Sequence, residues 1–134
     1  MRKVLVIEDN SNNLRLISYV LKRNGYEVIS AESGEEGIEL VQSNKELPYF
    51  IIVDINLPWI DGLEVARRIK KFDFANNIPL IAITSYAMVG DRERILSVGF
   101  NGYFEKPIDP LNIMDKIHEI ILNKKERGSE GFNC

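Results

Sequence analysis

The chain has 134 residues, of which 45% are hydrophobic and 28% are charged, and its formal net charge is −3. This length and composition predict one globular domain that folds without disulfides. A mildly acidic chain without a run of lysine and arginine has no general attraction for nucleic acid or an anionic membrane, so neither is an expected partner. The single cysteine is Cys134, and no stretch reaches the roughly 18 apolar residues of a membrane span, so we expect a cytoplasmic protein.

Short apolar runs alternate with helical patterns along the chain. Three of the runs, at residues 4–7, 50–53 and 80–83, are continuously apolar, which is typical of parallel strands covered on both faces. The alternation predicts an α/β fold, a doubly wound parallel sheet of five strands joined by right-handed helical crossovers. In chain order we predict a strand at 4–7, a helix at 12–23, a strand at 27–30, a helix that opens at Ser33, a strand at 50–53, a helix from about Asp61, a strand at 80–83, a helix at 88–98, a strand at 102–104 and a helix that starts after Asp109.

Two of the predicted helix starts carry capping signals. Ser33 is followed three residues later by Glu36, which is the spacing of a capping box. Asp109 is a favoured N-cap residue, and Pro110 suits the first helical position because no backbone N–H is needed there. The apolar periodicity ends near residue 123, so we expect a domain over residues 1–123 and a disordered tail over residues 124–134.

Polar side chains follow four of the predicted strands. Glu8 and Asp9 follow the first strand, Asp54 the third, Thr84 the fourth and Lys106 the fifth. Because the carboxyl ends of parallel strands meet at one edge of the sheet, where ligands bind in α/β folds, we expect these side chains to lie close together.

Three carboxylates at one place repel one another unless a cation lies among them. Mg²⁺ accepts one or two carboxylates together with water and phosphate oxygens, so it suits this set, with Asp9 and Asp54 as direct ligands and Glu8 acting through water. Asp54 is ionised at neutral pH and needs no general base to attack phosphorus. Lys106 and Mg²⁺ would neutralise charge on a transferring phosphoryl group, and Thr84 would donate its hydroxyl to a phosphoryl oxygen.

These residues resemble the site residues of response-regulator receiver domains, the CheY-like superfamily. Pro107 after Lys106 and the loop at residues 54–62 add to the resemblance, which covers about residues 3–122. It implies a sheet in the order 2-1-3-4-5 and a single-domain response regulator of two-component signal transduction, which is a phosphoacceptor signalling domain and not an enzyme acting on other molecules. The segment at residues 87–94 is similar to single-domain receivers of cell-cycle and phosphorelay pathways.

The resemblance also implies a role for each site residue. Asp54 would be the phosphoacceptor, acting with Thr84 and Lys106, and Mg²⁺ would be bound by Asp9, Asp54 and the backbone carbonyl of Asn56. Thr84 and Tyr103 would couple phosphorylation to a change in the face formed by the fourth helix, the fifth strand and the fifth helix. The implied partners are a sensor histidine kinase or a histidine phosphotransfer protein as donor, and a downstream effector protein.

The residues argue against two other functions and leave a third open. A phosphatase of the haloacid dehalogenase type needs a second aspartate two residues after the first, whereas Asn10 and Ser11 follow Asp9. A flavodoxin-like FMN module needs a phosphate cradle after the first strand, where Glu8 and Asp9 would repel a phosphate. The third function, a receiver that works as an interaction module without phosphate, stays open. The role of Trp59 also stays open: it is either a recognition residue for a kinase or a loop anchor.

A bulky side chain two residues after Thr84 leads to a kinetic prediction. Tyr86 is expected to shield an acyl phosphate on Asp54 from water, so we expect a phosphoryl lifetime of minutes or longer. Loss of radiolabel from the purified phosphoprotein measures this lifetime, and complete decay within a few seconds would contradict the prediction.

Overall fold

A computed structural model of the chain describes residues 2–43, 47–85 and 89–132, with side chains over 2–43, 47–85 and 90–124. The strands form one parallel sheet in the order β2-β1-β3-β4-β5, which confirms the predicted fold. The strands are β1 (Arg2–Ile7), β2 (Tyr26–Ala31), β3 (Phe50–Asp54), β4 (Leu80–Thr84) and β5 (Gly102–Glu105). The helices are α1 (Ser11–Arg23), α2 (Gly34–Ser43), α3 (Gly62–Lys70), α4 (Val89–Ser97) and α5 (Ile113–Phe132), with a short 3₁₀ turn at Asp73–Ala75.

Hydrophobic cores cover both faces of the sheet. On one face, apolar side chains of α1 and α5, such as Ile17 and Ile117, are buried against Val6 and Ile52. On the other face, residues of α2, α3 and α4 are buried against alternate residues of the same strands. Every residue of β3 and β4 is buried, which is why these strands read as continuous apolar runs in the sequence.

The predicted capping box of α2 forms with a shifted partner. The Ser33 hydroxyl accepts a hydrogen bond from the Glu36 N–H at 3.2 Å, as the spacing predicted. The Glu36 carboxylate, however, accepts from the N–H of Glu32 at 3.1 Å instead of the N–H of Ser33. The side chain therefore reaches one residue further back and ties the end of β2 to the first turn of the helix.

Helix α5 differs from its predicted start and end. Its body begins at Ile113, but the Asp109 carbonyl already accepts from the Ile113 N–H at 3.0 Å and the Asp109 carboxylate accepts from the Leu111 N–H at 3.0 Å. Asp109 thus caps a tight turn that leads into the helix. At the other end the helical backbone continues to Phe132. The domain boundary at residue 123 and the disordered tail over residues 124–134 stay predictions.

No helix in the described part of the chain has both the length and the apolar composition needed to cross a membrane.

The glycine at the start of α3 allows a close approach that positions the end of β3. A Cβ on Gly62 would lie 2.5 Å from the carbonyl oxygen of Asp54 and 2.7 Å from Cα of Ile55. Both atoms belong to the backbone, so neither can rotate away. Gly62 therefore lets the loop that follows Asp54 fold back against the strand.

We expect Gly62→Ala to destabilise the protein by about 1–3 kcal/mol, because overpacking against backbone forces a shift of the strand end. Urea denaturation measures the free energy of unfolding. Gly90→Ala is the matched control: a Cβ there meets no described atom within 4 Å, and alanine in a helix is favoured over glycine by up to about 1 kcal/mol. Equal effects of the two changes would contradict the prediction.

Candidate functional site

Three acidic side chains meet at the carboxyl edge of the sheet. Asp54 is the last residue of β3, and Glu8 and Asp9 directly follow β1, its neighbour in the sheet. One carboxylate oxygen from each residue lies within 4.8 Å of those from the other two. The Glu8 N–H donates to the carbonyl of Ala31 at 2.9 Å, which continues the β1–β2 ladder and holds Glu8 in place. The sequence-based expectation that these carboxylates lie together agrees with this geometry.

Glu8 is fully buried, and as a carboxylate it has no hydrogen-bond donor for either oxygen among the described residues. Burial raises the pKa of Glu8 to about 8, and the nearby Asp54 carboxylate adds to the rise. An unpartnered buried carboxylate is costly unless a proton or a cation satisfies it. The surroundings of Glu8 therefore favour either its protonated form or a cation among the three acids.

Both carboxylate oxygens of Asp54 have a donor. Lys106 Nζ lies 2.9 Å from Oδ2, and the backbone N–H of Asn56 donates to Oδ1 at 2.9 Å. Burial alone would raise the pKa of Asp54, but the Glu8 carboxyl, the Lys106 ammonium and the Asn56 N–H together hold that pKa below its ordinary value. The carboxyl groups of Glu8 and Asp54 repel each other when both are ionised. Their contact therefore favours the state in which Glu8 is protonated and Asp54 is charged.

The end of β5 brings the Lys106 side chain to Asp54. The backbone N–H of Lys106 donates to the Thr84 carbonyl at 2.8 Å, which extends the β4–β5 pairing by one residue. The following peptide bond, Lys106–Pro107, is cis. With an exposed fraction of 20%, the Lys106 side chain is largely shielded from water, so its attraction to Asp54 is stronger than that of a surface ion pair.

Thr84 and Tyr103 lie on neighbouring strands and on one face of the sheet. Thr84 is the last residue of β4 and is 3% exposed. Tyr103 pairs with Ala82, two residues before Thr84, so the side chains of Thr84 and Tyr103 point to the same face. Tyr103 is half-buried against the core that α2, α3 and α4 form on that face.

The loop after Asp54 is held at its base. The Gly62 N–H donates to the Ile55 carbonyl at 3.0 Å, and the Asp61 carboxylate caps α3 by accepting from the Glu64 N–H at 2.9 Å. Asn56 lies near the start of this loop and contacts Asp54 through its backbone N–H. Sequence reasoning missed this backbone donor and the close approach at Gly62, although the glycine after Asp61 was a signal for the latter. Tyr86, which also entered the predictions, lies outside the described residues.

The residues present fit a divalent cation. The cluster offers three carboxylates, all oxygen donors, against the single ammonium group of Lys106. Oxygen donors and excess negative charge suit a hard cation such as Mg²⁺, and the unpartnered oxygens of Glu8 leave acceptors for a ligand of that cation. The same edge of the sheet is where α/β folds bind their ligands.

Comparison with known proteins gives the same fold and a family. The chain matches the response regulator receiver domain over residues 4–118. The polar-differentiation response regulator DivK of Brucella anthropi is 37% identical over 116 residues, which cover 87% of this chain and 93% of that protein.

Two solved structures extend the comparison. The chemotaxis protein CheY4 of Vibrio cholerae superposes with a TM-score of 0.83 at 25% identity, covering 90% of this chain and 98% of that one. The receiver domain of a sensor histidine kinase from Pseudomonas aeruginosa, determined with a magnesium ion coordinated in its active site cleft, gives 0.79 at 29% identity and covers 90% and 97%. With a match over most of its length and a relative at 37% identity, this chain belongs to the response regulator receiver domain family of two-component signalling.

Proposed function

We propose that this receiver domain accepts a phosphoryl group on Asp54 in a Mg²⁺-dependent reaction and passes the signal to a partner protein. The observation that carries the proposal is the environment of Asp54: a buried carboxylate bonded to Lys106 at 2.9 Å inside a cluster of three acids. A structural role alone would not favour this set, because gathering like charges at a buried strand end costs stability.

Asp9, Asp54 and the backbone carbonyl of Asn56 would hold Mg²⁺, and Glu8 would act through a water molecule. When bound, the ion supplies positive charge to the oxygens of the phosphoryl group. It also offsets the mutual repulsion of the acids, whose unpartnered member is Glu8.

The protein's own residues provide a nucleophile and a positive group beside it. The depressed pKa of Asp54 keeps its carboxylate ionised at neutral pH, and this nucleophilic form is lost only as the pH falls below the ordinary range of an aspartate. An Asp54 oxygen forms a bond to phosphorus while the bond from phosphorus to the donor's histidine nitrogen breaks, and the nitrogen keeps the electron pair. Lys106 stabilises the negative charge on the phosphoryl oxygens during transfer.

Thr84 and Tyr103 are suited to convert phosphorylation into a change of surface. A phosphoryl group on Asp54 adds about −1.5 to −2 charge and three acceptor oxygens. Thr84, at the end of the adjacent strand, would move its hydroxyl toward these oxygens, and Tyr103 on the same face would rotate into the space that Thr84 leaves. The face of α4, β5 and α5 is then the surface that an effector protein reads.

The donor would be a sensor histidine kinase or a histidine phosphotransfer protein in the cytoplasm. A phosphate-independent interaction module is the second candidate, but the complete set of Asp54, Lys106 and the acids favours the first. Labelling with a small phosphodonor separates the two candidates.

We expect Asp54→Asn to abolish phosphorylation, because an amide has no anionic oxygen to attack phosphorus. Incubation with acetyl phosphate and Mg²⁺ followed by intact mass measures the addition of one phosphoryl group. Asp61→Asn is the matched control, since it removes an exposed carboxylate near the site and asparagine caps helix α3 equally well. Labelling of Asp54→Asn to the wild-type extent, or no labelling of the wild type, would contradict the proposal.

We expect Mg²⁺ at about 100 times its Kd to stabilise the protein by about 2.7 kcal/mol, because it binds only the folded cluster. Asp9→Asn should lower the Mg²⁺ affinity roughly tenfold or more, a loss at least as large as that from disturbing an outer ligand. Thermal unfolding with and without Mg²⁺ at constant ionic strength and titration calorimetry measure the two effects. Asp73→Asn removes an exposed acid of the 3₁₀ turn and should leave both unchanged. An unaltered Mg²⁺ affinity in Asp9→Asn would contradict the proposed metal site.

A further inference from the structure

The most exposed large apolar side chains of the described residues lie in loops at the phosphoacceptor edge. Trp59 is 87% exposed and Leu111 is 92% exposed, whereas the others reach at most 60%. Trp59 lies five positions after Asp54, and Leu111 lies five positions after Lys106. Single exposed apolar residues are common on proteins, so exposure alone does not assign a role.

Trp59 also has a backbone conformation that argues for a role. Its φ is +64°, and it is the only residue other than glycine with a positive φ among those described. The left-handed region costs a residue with a Cβ roughly 1–2 kcal/mol. A tryptophan held there without compensation would be replaced by glycine or asparagine at no loss to the fold.

Hydrogen bonds, ion pairs and ring contacts among the described residues do not explain this conformation. The base of the loop is held by the bond from Gly62 to Ile55, and the neighbouring Leu57 is buried at 6% exposure, so the loop is anchored without Trp59. Among the described residues, no aromatic ring or cation stacks on the Trp59 side chain. A residue that anchors the loop would be buried. Of the two roles that the sequence left open for Trp59, recognition of a kinase therefore fits better than anchoring of the loop.

The position of Trp59 limits what can cover it. Asp54 is only 1% exposed, so a protein that delivers a phosphoryl group must press against the loops around it. A standard interface buries about 800 Å² on each partner, which corresponds to a patch about 16 Å in radius. Five residues span at most about 18 Å when fully extended, and this closed loop is far from extended. A donor centred on Asp54 therefore covers Trp59.

We propose that Trp59 is the apolar anchor through which this receiver binds its protein phosphodonor, an inference that rests on the proposed function of Asp54. The expected donor carries exposed apolar side chains beside its phosphohistidine, which would contact Trp59 on one side and Leu111 on the other. Tryptophan is among the residues that contribute most to binding when an interface buries them. Small phosphodonors reach Asp54 without using Trp59.

The test compares a protein donor with a small donor on the same variants. The host's sensor kinases and phosphotransfer proteins, phosphorylated beforehand, are profiled against the wild-type chain, and the donor with the highest kcat/KM is kept. Trp59→Gly is the informative variant because glycine adopts a φ of +64° freely, so the loop keeps its shape. Phe74→Ala, which removes a 47% exposed aromatic from the opposite edge of the sheet, is the matched control.

We expect Trp59→Gly to lower kcat/KM with the protein donor roughly 10- to 30-fold, mostly through KM, and to leave labelling by acetyl phosphate unchanged. Trp59→Phe should recover much of the loss, and Phe74→Ala should match the wild type with both donors.

An unchanged kcat/KM in Trp59→Gly with the protein donor would overturn the proposal. A wild type that acetyl phosphate labels but no protein donor labels would also overturn it, and so would dissociation of a dimer by Trp59→Gly with transfer intact, which would assign the residue to self-association. Failure of acetyl phosphate and of every protein donor to label the wild type would instead refute the proposed function of Asp54.

Discussion

The ion pair between Lys106 and Asp54 is the interaction on which the site depends. It joins the ends of β3 and β5 across β4, so it forms only when these three strands lie in their native order. The pair is shielded from water, and it is the only ammonium contact to the acidic cluster among the described residues. Folding of the sheet and assembly of the site are therefore linked, because four of the five strands place a site residue at their carboxyl end or directly after it.

Stability and chemistry oppose each other at this edge. The fold would be more stable if the carboxylates of Glu8, Asp9 and Asp54 lay apart. The buried carboxylate of Glu8 also has no hydrogen-bond donor for its oxygens among the described residues. A fold selected only for stability would place apolar residues there, as at residues 4–7 of β1 and 50–53 of β3. In the proposed function, this excess negative charge would attract a cation, so the local loss of stability would be offset when the cation binds.

The sequence predicted the sheet and the convergence of the acids because both follow from short-range patterns. Continuous apolar runs identify buried parallel strands, and the residue after each run must lie at the carboxyl edge. The rest depends on contacts between segments far apart in the chain. The shift of Glu36 from Ser33 to Glu32, the turn over residues 110–112 before α5, and the N–H that Asn56 donates to Asp54 are set by tertiary geometry that periodicity does not encode. The positive φ of Trp59 could not be predicted from the sequence either, since a tryptophan gives no signal for that conformation.

The two hydrogen-bond donors on Asp54 differ in how far they could move during the proposed phosphoryl transfer. Asn56 is fixed by the backbone, whereas Lys106 reaches Oδ2 through a flexible chain of four methylene groups. In the proposed transfer, the Asp54 oxygen that enters the acyl phosphate would lose its charge, and the ammonium group would then face the new anionic oxygens of the phosphoryl group. The lysine thus exchanges one anion for another without ever being stranded in a buried position. In the proposed transfer, the β5 side would therefore need little electrostatic reorganisation, and the larger movement would be that of the Thr84 hydroxyl at the end of β4.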